Sequence, residues 1–118
     1  VSKYLAFEDI INKPDLDEKE LFVPEWDGYV KIRGLTKAQQ QAMRKQASTA
    51  NGQIDTDKLE TIMLASCLVE PAITMEQAEQ LKNKSAAAID RILREILELA
   101  GLTEEAQKEA MKSFRPGV

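Results

Sequence analysis

Histidine is wholly absent from this 118-residue chain, and cysteine occurs once, as Cys67. Without an imidazole the chain lacks the commonest general base and metal ligand at neutral pH. A zinc centre needs several Cys or His ligands, so none is expected, and one thiol allows no internal disulfide. The count suits a reducing cytosol. Only 5 glycines are present and they are scattered, so no loop can cradle a phosphate. Aromatics make up 5% of the residues, which leaves the packing to aliphatic side chains. Apolar runs stay as short as "IMLA" at 62–65, far below the ~20 residues that span a bilayer. No signal-peptide pattern opens the sequence, and the expectation is a soluble cytoplasmic protein.

Basic charge is in deficit: 16 Lys and Arg against 20 Asp and Glu give a net charge of −4. The two signs are interleaved, so no basic stripe exists for nucleic acid, and an anionic membrane would be repelled. Protein partners remain. Carboxylates are plentiful, yet Asp15, Asp17, Glu18 and Glu20 lie in a polar stretch with no apolar pocket to raise a pKa. "NGQIDTDKLE" at 51–60 has the acids and glycine of a calcium loop in the wrong order. Cys67 sits among apolar helical neighbours, as a buried and inert thiol would. The residues define no enzyme, cofactor site or metal site.

What is present is a well-punctuated chain of one domain, residues 1–118, with 43% hydrophobic residues. Leu5, Phe7, Ile10 and Ile11 make a short helical pattern, with Ser2 as a candidate cap, and Pro14 ends it. After the acidic connection "KPDLDEKE" comes "EWDGYVKIRGLT" at 25–36. Asp27-Gly28 reads as a two-residue type I′ turn, which pairs Trp26 with Tyr29, Glu25 with Val30 and Val23 with Ile32. Alternation then puts Val23, Val30 and Ile32 on an inner face. Phe22, Trp26, Tyr29 and Arg33 fall on the outer one. Pro24 marks its strand as an edge.

Thr36 with Gln39 forms a capping box opening a helix to Ala47, whose apolar stripe is thin: Ala38, Ala42, Met43 and Ala47. "STANGQ" at 48–53 reads as a flexible loop. A central helix spans about 56–69, stopped by Pro71. Thr74 with Gln77 opens a short helix through Leu81. Ser85 caps the strongest amphipathic segment, with Ile89, Ile92, Leu93, Ile96 and Leu97 on one side and Gly101 at its end. Thr103 opens a last helix that Phe114 anchors. These segments predict a mainly α fold: a compact helical domain of about five to six helices with one N-terminal β-hairpin at about residues 21–33.

Two roles fit Trp26 and Tyr29: a cross-strand pair that stabilises the hairpin, or an exposed hot spot with Phe22 and Arg33 beside it. Met43 joins them as a candidate protein-binding residue, because the thin stripe of its helix suits an exposed face.

The order of segments also resembles a known family. A helix, then "VPEWDGYVKIRGLT" leading into a helix, then "ASCLVEP", then an Ile/Leu-rich helix ending in "LAGL" resembles the tail assembly chaperones of long-tailed bacteriophages and prophages of Gram-positive bacteria. The resemblance runs from about Phe7 to Phe114. It implies a non-enzymatic factor without cofactors that binds the long, helical tape measure protein and brings tail tube subunits to it. It further implies action in the host cytoplasm and absence from the mature virion; the sequence does not fix the oligomeric state, and leftover apolar faces would allow self-association along a long partner. A structural connector or tail-completion subunit is the alternative. A DNA-binding regulator is disfavoured by the acidic pI and the lack of a basic recognition helix.

Overall fold

The computed structural model describes residues 4–101. In chain order these form α1 (Phe7–Asn12), β1 (Glu18–Val23), a single 3-10 turn (Pro24–Trp26), β2 (Gly28–Arg33), α2 (Lys37–Ala47), α3 (Thr56–Cys67), β3 (Leu68–Glu70), α4 (Met75–Leu81) and α5 (Ala86–Leu99). The helix starts follow local chemistry. The Thr36 and Thr74 hydroxyls accept from the backbone N–H groups of Gln39 and Gln77, whose side chains accept in return from the threonine N–H groups. Asp55 caps α3 through the Lys58 N–H, and Ser85 caps α5 through the Ala88 N–H. Gly101, at φ +72°, supplies the left-handed residue beyond the end of α5. Ser2 and the helix expected from Thr103 to Phe114 lie outside the described residues.

The expectation of a mainly α domain with a lone hairpin is overturned. The described residues form five α-helices and a three-stranded antiparallel sheet in the order β1-β2-β3, an α+β fold. Helix α3 stops at Cys67, and Leu68–Glu70 leaves it to pair along β2, with Ile32 facing Leu68 and Lys31 facing Glu70. The cause is local. Pro71 disfavours helical backbone at Glu70, Val69 is β-branched, and the second edge of β2 offers unpaired N–H and C=O groups. The register shifts by one residue between those two pairs, which lets Leu68 sit inside with Ile32 while Glu70 is exposed beside Lys31.

The hairpin register also departs from the two-residue turn. Pro24 has no ladder N–H, and its fixed φ suits the first position of the 3-10 turn. The chain therefore leaves the strand at Val23, makes that turn, passes through Asp27 at φ +50° and re-enters at Gly28. Tyr29 faces Phe22, not Trp26, and Val30 faces Leu21, not Glu25. Residues 48–54 are likewise a closed connection rather than a loose one. Ser48 bridges Ile54, and the Thr49 and Asp55 N–H groups donate to the Gln53 and Ala47 carbonyls at 2.7 Å each.

The core lies between the sheet's inner face and the helices. Leu21, Val23, Val30, Ile32 and Leu68 meet Ile89, Ile92, Leu93 and Ile96 of α5 and Ile62, Met63, Leu64 and Cys67 of α3. Helix α5 crosses β1 and β2, and α3 is flanked by α2 and α4. Thr61 is fully buried, and its hydroxyl is satisfied by the Asp57 carbonyl, Glu79 and the Lys82 ammonium, which fastens α4 to α3.

Candidate functional surface

Three cross-strand pairs cover the outer face of the sheet: Glu18 with Arg33, Glu20 with Lys31, and Phe22 with Tyr29. Glu70 adds a second carboxylate beside Lys31. The two rings are in edge-to-face contact, with centroids 5.2 Å apart and planes at 61°. They remain open to solvent, Phe22 at 43% and Tyr29 at 68% relative exposure. The face is thus an apolar patch of two rings bordered by charges of both signs.

The remaining candidates divide. Arg33 is half-buried on the same face. Trp26 lies in the 3-10 turn, half-buried and packed against the core, so it is no partner of Tyr29. Met43 is only 5% exposed and, with Ala47, is the part of α2 that enters the core, whereas Ala38 and Ala42 stay exposed. It lines no open surface.

Two ion pairs tie this hairpin to α5. Arg91 donates from both terminal nitrogens to the Glu25 carboxylate, at 2.5 and 3.0 Å. The Lys19 ammonium lies 2.6 Å from the Glu95 carboxylate. The guanidinium hydrogen bond, helped by a backbone hydrogen bond, holds the Glu25 carboxyl below its usual range, and Glu95 raises Lys19. Cys67 is fully buried, and desolvation pushes its thiol up to about 11.

Sequence reasoning did not single out α1 as a surface. No side chain of α1 is buried. Tyr4, Leu5, Phe7, Ile10 and Ile11 are between 53% and 93% exposed. The apolar spacing was readable; that nothing among the described residues covers it was not.

Among the described residues no three His, Cys, Asp or Glu side chains gather as a metal site, and no helix is long and apolar enough to cross a membrane. Compared with protein-family models, curated proteins and solved structures, the chain matches none.

Proposed function

We propose that this chain is a non-enzymatic tail assembly chaperone of a long-tailed phage or prophage. It binds the tape measure protein in the host cytoplasm, helps recruit tail tube subunits, and leaves before the virion matures. The observation that carries the reading is the open Phe22–Tyr29 patch on a sheet tied to α5 at two points. Two rings bordered by Lys31, Arg33, Glu20 and Glu70 are suited to an amphipathic helix: apolar side chains lie on the rings and the flanking charges select their surroundings. The resemblance in segment order, from the hairpin through "CLVEP" to "LAGL", supplies the identity of that helix.

Co-expression with a tape measure protein, the long helical partner that the proposal names, tests it. The partner should stay soluble and co-purify, and Phe22→Ala with Tyr29→Ala should release it. A partner that aggregates regardless refutes the reading. Stoichiometric presence of this chain in purified virions favours the connector instead.

A further inference from the structure

We infer that Asn51 is a site of spontaneous covalent modification: in the folded chain the backbone nitrogen of Gly52 attacks its side-chain amide, and the residue converts to aspartate and isoaspartate. The chemistry begins in the sequence. Asn12 and Asn83 precede lysine, whereas Asn51 precedes glycine, whose missing Cβ leaves its nitrogen unhindered.

The fold sets this pair at an open corner between α2 and α3. Thr49 to Gly52 form a turn closed by the Gly52 N–H, which donates to the Thr49 carbonyl at 3.0 Å. Gly52 lies in the left-handed region, at φ +80°. All four residues are exposed. Among the described residues, no atom beyond the chain neighbours lies within 4 Å of the place a Gly52 Cβ would take. The bonds that close the base of the connection, from the Thr49 N–H to Gln53 and from the Asp55 N–H to Ala47, involve neither Asn51 nor Gly52. The attacking nitrogen is therefore held back by a single exposed turn bond, and such a turn opens locally without unfolding the domain. Asp27-Gly28 is the other acid or amide that precedes glycine. Gly28 is held in the ladder opposite Val23, and a carboxylate is a poorer electrophile than a carboxamide, so that pair stays intact.

Once the turn opens, hydroxide takes the Gly52 amide proton and the nitrogen attacks the Asn51 Cγ. The N–Cγ bond forms, the Cγ–Nδ2 bond breaks, and the amide nitrogen leaves as ammonia with a proton from water. The resulting succinimide adds a water at either carbonyl. Opening at Cγ gives an ordinary aspartyl residue; opening at the main-chain carbonyl gives an isoaspartyl residue, whose backbone runs through the former side chain. Both products place a new carboxylate in the connection, and the isoaspartyl form lengthens the main chain, so the turn bond cannot reclose in the same register. This modification stands whether or not the chain serves a tail.

Prolonged incubation of the full folded chain at mildly alkaline pH, followed by proteolysis and mass spectrometry, tests it. The peptide that holds Asn51 should gain the amide-to-acid mass difference and separate into two chromatographic forms, while the Asn12 and Asn83 peptides stay unchanged. The rate should rise in proportion to hydroxide. It should lie within about tenfold of the rate in urea, because one exposed hydrogen bond is all that protects the site. Asn51→Gln, whose longer side chain disfavours ring closure, should lose the conversion and keep the circular dichroism. A folded chain that retains Asn51 while the unfolded chain loses it overturns the inference, and so does conversion of Asn12 or Asn83 at the same rate.

Discussion

A double-mutant cycle on Phe22 and Tyr29 separates a ring pair that only stabilises the hairpin from one that also grips a partner. Edge-to-face pairs contribute about 0.5–1.5 kcal/mol beyond the area they bury. Phe22 and Tyr29 are 43% and 68% exposed, which puts this pair at the lower end. Phe22→Ala and Tyr29→Ala should therefore each cost about 1 kcal/mol, with a coupling of about 0.5 kcal/mol. For a domain of this size that lowers Tm by about 3–6 °C. The stability arm of the cycle is read by urea unfolding. The binding arm is read by calorimetry against the proposed partner, well below the melting transition. If the rings are the contact, each substitution weakens binding by about 2 kcal/mol or more, near thirtyfold in Kd, while Glu18→Ala on the same face changes it far less. A fall in Tm of the stated size with Kd unchanged would refute the binding role and leave the pair as a hairpin staple. Zero coupling would show that the ring contact itself contributes nothing.

Three further outcomes follow from the core. Thr61→Val removes a buried hydroxyl whose partners Glu79 and Lys82 both reach water, so it should cost about 1 kcal/mol by urea midpoint; Thr61→Ala, which also leaves a void, should cost more. Ile92→Ala, at a fully buried position on α5, should cost about 2–5 kcal/mol, whereas Ile11→Ala on exposed α1 should stay within about 0.5 kcal/mol. The folded chain holds the Cys67 proton more tightly than the unfolded chain, so this contribution is complete below the thiol's ordinary pKa of 9.0 and is lost as pH rises towards about 11. The loss is about 2–3 kcal/mol and should be missing in Cys67→Ala; at pH 8 the native thiol should resist a disulfide reagent.

The helices were legible because their ends carry their own chemistry. Thr36 with Gln39, Thr74 with Gln77, and Ser85 specify starts through bonds spanning three residues, and no distant contact is needed to read them. Strand β3 escaped because three residues are too few to show a period, and its pairing exists only once β2 presents a free edge. The hairpin register failed at Pro24, which starts the turn. The error moved the residue facing Tyr29 from Trp26 to Phe22, an even number of positions, so the division into inner and outer faces survived it. That is why Phe22, Tyr29 and Arg33 were placed on the correct face while Trp26 was given the wrong neighbour. Met43 was misplaced for a different reason: a thin stripe reads as weak burial, but two positions one turn apart, Met43 and Ala47, are enough to seat α2 on the core while Ala38 and Ala42 stay exposed.

The two ion pairs between the hairpin and α5 matter for orientation more than for strength, since exposed pairs contribute little to stability. Arg91 and Glu95 stand one turn apart on α5 and carry opposite signs; Glu25 and Lys19 meet them in the matching order. Turned end for end on α5, the hairpin would set Glu25 against Glu95 and Lys19 against Arg91, two repulsions in place of two attractions. Burial of Val23, Val30 and Ile32 specifies which face of the sheet turns inward, and this charge order specifies which way the strands run across α5. Together they determine where the Phe22–Tyr29 patch points. A surface that binds by shape must be held in this way.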